Sequence, residues 1–325
     1  MSDYPSTEGF NIRSCSKLPV DAKILHDLSA DLVAIARCHA SLDEGVSGAN
    51  PLPIIEGLNR AIAESDIVWE LGSTAVLGLS PGMVMKAGCG IDIDHVPTME
   101  YIRTRAPRIP IPDIHGVFQA GNRNYVFMTR IKGEALDQVW KSLNTTQKTS
   151  IKEQLGPMFS SIRSVAPPPS DEPQAILGGG IPRRCKDARR HIREAERPLE
   201  DEAEFNQFLT SHPRRTETAW LAMIRSFLAT DHKFAMIHGD LHPRNIMVSV
   251  SDVSSTHSSA GNVEITGLID WEMCGYYPEY WEYVKALHTV SPGDGFDDWW
   301  AYLPVSIGVW PKEFSVDMLI SRWMG

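Results

Sequence analysis

No stretch constrains this chain more than Ile237-His238-Gly239-Asp240-Leu241-His242-Pro243-Arg244-Asn245-Ile246-Met247-Val248. It sets an Asp and an Asn at D-x-x-x-x-N spacing, between a helical pattern and an apolar, strand-like run. A second run, Ile265-Thr266-Gly267-Leu268-Ile269-Asp270-Trp271-Glu272, ends another strand-like segment on an Asp. Phosphoryl transfer from Mg·ATP needs one carboxylate to orient the acceptor hydroxyl. It also needs an amide oxygen and a second carboxylate to hold the metal that bridges the phosphates. Asp240 fits the first role, and Asn245 and Asp270 fit the second. Either stretch alone also reads as a turn or a strand-end cap. Two such elements in order, each beside a strand-like run, favour the chemical reading.

The segment resembles the catalytic loop of the aminoglycoside phosphotransferase and choline kinase family, small-molecule kinases with a protein-kinase-like fold. The family's H-G-D-x-x-x-x-N matches His238, Gly239, Asp240 and Asn245, and its second metal-binding Asp matches Asp270. The resemblance implies an α+β, two-lobed fold, with an antiparallel-sheet N-terminal lobe and a mainly helical C-terminal lobe. Residues 65–130 would form the nucleotide-binding lobe and 131–325 the catalytic and acceptor-binding lobe, preceded by a helical extension over 1–64. ATP and Mg²⁺ would be the cofactors. Asp270 is followed by Trp271-Glu272 and runs almost directly into Tyr276-Tyr277-Pro278. That leaves no room for the long activation segment of a protein kinase, so a small hydroxyl-bearing acceptor is expected.

Strand-like runs at Ile67–Leu71, Ala75–Leu79 and Met83–Ala87 are separated by Gly72-Ser73-Thr74 and Ser80-Pro81-Gly82, both good turn chemistry. The third run carries Lys86, expected to steady the α- and β-phosphates, with Ser73 and Thr74 in the turn that covers them. That turn is not a G-x-G-x-x-G loop, and no Walker A sequence is present. Pro97–Arg105 reads as a helix carrying Glu100, the candidate ion-pair partner of Lys86. Asp113–Gln119 and Asn124–Arg130 read as a hairpin turning at Gly121-Asn122. Met128-Thr129-Arg130 then leads into Ile131-Lys132-Gly133, where extended backbone would meet the adenine edge. Met128 and Arg130 are the candidates there.

Outside these elements, residues 1–17 read as a flexible arm and Val20–Ala40 as one helix by its apolar spacing. Residues 41–53 form a break, and Ile54–Ala63 is a second helix. Helical spacing returns over Leu136–Leu143, Thr146–Val165, Glu202–Leu209 and Glu217–Leu228. Residues 182–200, with Arg183, Arg184, Arg189, Arg190 and Arg193, read as a solvated helix or loop, alternatively as contacts to the acceptor. Ser249–Asn262 reads as a mobile surface loop. Most of the late aromatic residues read as core. A few, with Glu279, Glu282, Asp294, Asp297 and Asp298, would suit an amine-bearing acceptor.

The formal charge of −10 speaks against a nucleic-acid partner. Five scattered cysteines without a C-x-x-C pair indicate neither a zinc site nor a disulfide framework. The start lacks a signal-peptide pattern, and no apolar run reaches the roughly 18–20 residues of a membrane span, so a cytoplasmic protein is expected. The leading reading is therefore an ATP-dependent O-kinase. Asp240 is its base, Lys86 its phosphate cation, and Asn245 and Asp270 its metal ligands. His238 and Arg244 are expected to be supports for the loop. The alternatives are a kinase-like scaffold that has lost turnover and a transferase that uses the same nucleotide cleft for another group.

Overall fold

The computed structural model describes residues 11–40, 52–169, 174–189, 191–211, 218–251, 262–291 and 293–324. The chain divides into two compact units, Met1–Ile93 with Pro112–Ile131, and Asp94–Ile111 with Lys132–Gly325. The helical extension expected over 1–64 is thus part of the first unit. The helix that carries Glu100 belongs to the second. Two bonds explain the latter: the N–H of Gly180 donates to Thr98 Oγ1 at 2.9 Å, and that of Leu268 to the carbonyl of Pro110 at 2.9 Å.

The first unit begins with α1 (Ile12–Cys15), β1 (Lys23–His26), α2 (Ala30–Ala40) and α3 (Leu52–Glu64). The strands β2 (Asp66–Leu71), β3 (Thr74–Ser80), β4 (Met83–Cys89), β5 (Ile114–Ala120) and β6 (Arg123–Thr129) follow. They form one antiparallel sheet in the order β1-β5-β6-β4-β3-β2. Side chains alternate faces along a strand. Ala75, Leu77 and Leu79 of β3, Met83, Met85 and Ala87 of β4, and Tyr125 and Phe127 of β6 therefore share one face. They form a core with Leu32, Ala36, Ile55, Leu58 and Ile62 from α2 and α3. The two helices meet at Gly57, where a Cβ would lie 1.9 Å from the carbonyl oxygen of Ala36.

One expected helix is divided. Val20, Ile24 and Leu25 are exposed, and Lys23–His26 pairs with β5. Helix α2 starts only after Ser29, whose Oγ accepts the N–H of Leu32 at 3.2 Å. Pairing at a sheet edge overrides the helical spacing of the apolar residues. The arm expected over 1–17 contains α1, while residues 1–10 and 41–51 lie outside the described residues.

The second unit contains α4 (Val96–Arg105), β7 (Glu134–Ala135), α5 (Leu136–Val139) and α6 (Thr145–Arg163). An Asn144/Gln147 capping box fixes the start of α6. Then come β8 (Lys186–Ala188), β9 (Ile192–Glu194), α7 (Glu202–Leu209), α8 (Thr218–Phe227), β10 (Phe234–Ile237), β11 (Ile246–Ser251), β12 (Asn262–Leu268), β13 (Gly275–Pro278), α9 (Trp281–His288) and α10 (Pro311–Met324). The α+β architecture expected from the sequence is present. Leu177, Phe205, Leu209, Ile224, Ile237, Tyr277, Trp281, Val284 and Ile320 form one core of this unit.

The charged stretch 182–200 is neither a helix nor a solvated loop. It forms the β8–β9 hairpin, and Asp187 at its centre is fully buried. Asp187 accepts from Lys285 Nζ (3.1 Å), Arg189 Nε (2.7 Å) and Arg193 Nη2 (2.6 Å). Burial alone would raise its pKa, but these three cations pull it well below the usual carboxylate range. Arg189 also pairs with Asp317 of α10, and Arg183 is buried against the carbonyls of Ala175 and Pro168. Arg183, Arg189 and Arg193 are thus committed inside the unit. Arg190, Glu217 and residues 252–261, the middle of the expected surface loop, lie outside the described residues.

Candidate active site

In the second unit β10 pairs with β13, and β11 pairs with both β12 and β7. The loop 238–245 connects β10 to β11 and carries Asp240 and Asn245; Asp270 follows two residues after the end of β12. Gly239 sits at φ 82°, and a Cβ there would lie 2.3 Å from the carbonyl oxygen of Met273. Only glycine meets both demands.

Asn245 Nδ2 lies 2.8 Å from Asp240 Oδ2 and 2.9 Å from the Asp240 carbonyl oxygen. Both neighbours are acceptors, so the amide nitrogen must face them and the amide oxygen turns the other way. Asn245 is buried, whereas the Asp240 side chain stays 16% exposed. The carbonyl of Asn245 accepts the N–H of Ile269 at 2.9 Å, which brings the neighbouring Asp270 to this loop. Asp270 has φ 63°, the one positive φ outside glycine among the described residues. Such a conformation costs about 1–3 kcal/mol and is found preferentially at functional sites.

His238 ties the two segments together. Its Nδ1 accepts the N–H of Asp240 at 3.2 Å, and its Nε2 therefore carries the proton and donates to the Ile269 carbonyl at 3.0 Å. The ring packs edge-on against Trp271 at 4.5 Å. Burial lowers the pKa of His238 and keeps the ring neutral, although the negative fields of both Asp240 and Asp270 reach it. His242 is likewise buried. Its Nδ1 accepts the N–H of Arg244 at 3.0 Å, and burial, with Arg244 nearby, brings its pKa down to about 4. Arg244 Nη2 lies 3.1 and 3.0 Å from the two carboxylate oxygens of Asp240.

Glu282 has a role that its sequence position does not announce. The sequence reading puts it among candidate acceptor contacts, yet it is fully buried in the first turn of α9. It accepts the N–H groups of His238 (2.7 Å) and Gly239 (3.2 Å) and so anchors the loop from beneath. Of the other acceptor candidates, Glu279 accepts the N–H of Lys233 at 3.2 Å, and Asp298 pairs with Lys148 at 2.6 Å. The charge of Asp294, together with that of Asp137, reaches His242.

Burial pushes the Glu282 carboxyl up to about 7, against an ordinary value of 4.5, while its two N–H donors and Arg163 pull the other way. Between those values the folded chain holds a proton that the unfolded chain releases. The contribution of this group to stability is therefore complete below 4.5, declines as pH rises through the window, and is level above about 7. A window of that width is worth about 3 kcal/mol. Glu282→Gln cannot titrate. Denaturant unfolding from pH 5 to 7.5 is expected to show the parent losing about 2–3 kcal/mol relative to this variant. Parallel stability curves would contradict the assignment.

In the first unit Lys86 pairs across strands with Val76 and Val126, and Val84 pairs with Met128. By alternation Thr74, Lys86 and Met128 share the sheet face opposite the α2–α3 layer. Gly88 leaves room for Thr74, since a Cβ there would lie 2.4 Å from Thr74 Oγ1. Ser73 is exposed in the β2–β3 turn. The Arg130 guanidinium is bonded to both oxygens of Asp66, at 3.1 and 3.0 Å, and the backbone N–H of Arg130 donates to the carbonyl of Gly82. Glu100 is half-buried on α4 in the second unit.

Among the described residues no group of three or more His, Cys, Asp or Glu could hold a metal. One amide oxygen and one carboxylate, from Asn245 and Asp270, remain as the candidate donor set. No helix of the described residues is long and apolar enough to cross a membrane.

The model of the phosphotransferase enzyme family (APH) matches residues 96–301. Among solved structures, the chain is similar to the streptomycin–ATP ternary complex of APH(2")-IIa, with 10% identity, coverage of 80% of this chain and 76% of that one, and a TM-score of 0.45. It is also similar to aminoglycoside phosphotransferase APH(3'')-Id from Streptomyces rimosus in complex with ADP and streptomycin (12%, 81% and 93%, 0.44). ADP-bound APH(2'')-Ib is a third (11%, 91% and 86%, 0.45). No curated protein matches the chain.

Proposed function

Because the chain belongs to the phosphotransferase enzyme family, we propose that it is an ATP-dependent O-kinase acting on a hydroxyl of a small molecule. One observation carries this reading. Asp240 stands partly open to solvent with Asn245 locked against it, and the Asn245 carbonyl bonds the residue before Asp270. Asp240 orients the acceptor O–H and receives its proton. The acceptor oxygen then bonds to the γ-phosphorus as the bridging P–O bond breaks and ADP leaves with the electron pair.

Asn245 and Asp270 would hold Mg²⁺. The donor set fits, because Mg²⁺ takes hard oxygen ligands, needs only one or two carboxylates, and completes its shell with water and phosphate. Bound there, it would neutralise the phosphate oxygens. Lys86 would steady the α- and β-phosphates beneath Ser73 and Thr74. Met128, near the end of β6, and Arg130, just beyond it, would lie beside the adenine edge. The short connection from Asp270 to β13 supports a small acceptor over a peptide. An amine-bearing one would suit the fields of Asp137 and Asp294.

Titration calorimetry of ATP, with Mg²⁺ and with a chelator, tests the premise. The reading predicts binding with Mg²⁺ and at least a tenfold loss without it, about 1.4 kcal/mol. Absence of binding in both conditions would contradict it.

A further inference from the structure

The loop uses one device twice. In His238-x-Asp240 the imidazole accepts the N–H of the charged residue two positions on, and in His242-x-Arg244 the second imidazole does the same. Each ring is buried and braced edge-on by an aromatic neighbour, Trp271 for His238 and Phe296 for His242. Orienting a base requires the device once. The second copy fixes Arg244 at the mouth of the same loop, where its side chain is 45% exposed.

Stability does not account for that arrangement, since an exposed i,i+4 ion pair contributes little. Geometry offers another account. A guanidinium has five N–H donors on three nitrogens, and Nη2 alone makes both contacts to Asp240. Among the described residues no other bond to the Arg244 side chain is made, so Nε and Nη1 are left for another partner within a few ångströms of the carboxylate. Resting on the phosphotransferase reading, we propose that Arg244 is a further catalytic residue rather than only a loop support. One edge of its guanidinium holds the Asp240 carboxylate toward the acceptor hydroxyl. The other takes up charge on the phosphoryl group during transfer.

The chemistry suits the residue. As the acceptor O–P bond forms and the bridging P–O bond breaks, negative charge spreads over the three equatorial phosphoryl oxygens. A planar, permanently charged fork matches that distribution better than a point charge. An arginine supplied in this way raises phosphoryl-transfer rates by about 10³–10⁵ in enzymes that use one.

The test uses the full chain and needs no acceptor. Mg·ADP is titrated alone and with aluminium fluoride, a mimic of the phosphoryl group in flight, into the parent, Arg244→Met and Arg244→Lys. The parent is expected to bind Mg·ADP at least tenfold tighter with fluoride. Arg244→Met should lose at least tenfold of that gain and keep its Mg·ADP affinity within about twofold, and Arg244→Lys should recover part of it. Full fluoride enhancement in Arg244→Met would overturn the proposal and leave the kinase reading standing. So would an absence of enhancement in a parent that binds Mg·ADP. A parent that binds no Mg·ADP overturns the kinase reading itself, and this role with it.

Discussion

Asp240→Asn is expected to lower phosphoryl transfer by about 10²–10⁴-fold, the range a positioned acid–base group contributes, and to leave Mg·ATP affinity close to that of the parent. The substitution keeps the shape of the side chain and an oxygen for the Asn245 amide at 2.8 Å. It removes the one property the mechanism requires there, the capacity to receive a proton. Orientation and proton transfer act in the transition state, so the rate falls while ground-state binding does not. Single-turnover rates beside calorimetric ATP affinities separate the two. A variant that transfers like the parent would show that Asp240 is not the base. One that loses rate and affinity together would point to a collapsed loop.

Asp270→Gly is expected to separate the site from the fold. Asp270 holds φ 63°, a conformation that glycine adopts without a steric penalty. Relief of that strain, about 1 kcal/mol, offsets part of what the carboxylate's own contacts contribute to stability. The Mg²⁺-dependent part of its nucleotide affinity should fall at least tenfold, about 1.4 kcal/mol, because half of the proposed metal donors are gone. Asp270→Ala should lose the same metal dependence and be about 1 kcal/mol less stable than the glycine variant. Retained Mg²⁺ dependence in Asp270→Gly would remove Asp270 from the metal site. Such a stability–function trade is expected where strain is kept for chemistry.

How much of this was legible in the sequence depended on how local each signal was. The D-x-x-x-x-N loop, the strand before Asp270 and the turns that end β2 and β3 are written in consecutive residues, and their elements formed as read. Leu77, Met85 and Phe127 follow the period of two that puts Lys86 on the opposite sheet face. What escaped was nonlocal. Lys23–His26 has helical apolar spacing and becomes a strand only because β5 offers an edge. The arginines of 182–200 look solvated until Lys285 and Asp317, about a hundred residues on, close around the hairpin.

Glu282 escaped for the same reason. Its partners, His238 and Gly239, are more than forty residues away and contribute backbone N–H groups, which leave no mark in the sequence. A usable hint was present: a Glu opens the helix after β13, the strand that pairs with the one delivering His238. The spacing of His238, Asp240, His242 and Arg244 was also visible. That each imidazole holds the charged residue after it emerges only in the folded loop.

Transfer of phosphate from ATP to a small hydroxyl by this loop is measured by incubating the parent and Asp240→Asn with Mg·ATP and a pooled library of amino alcohols, aminoglycosides and sugars. Mass spectrometry then searches for a gain of one phosphoryl group in any component. A phosphorylated product is expected to form with the parent and to be nearly absent with Asp240→Asn. A product formed equally by both proteins would remove Asp240 from the chemistry and sink this mechanism.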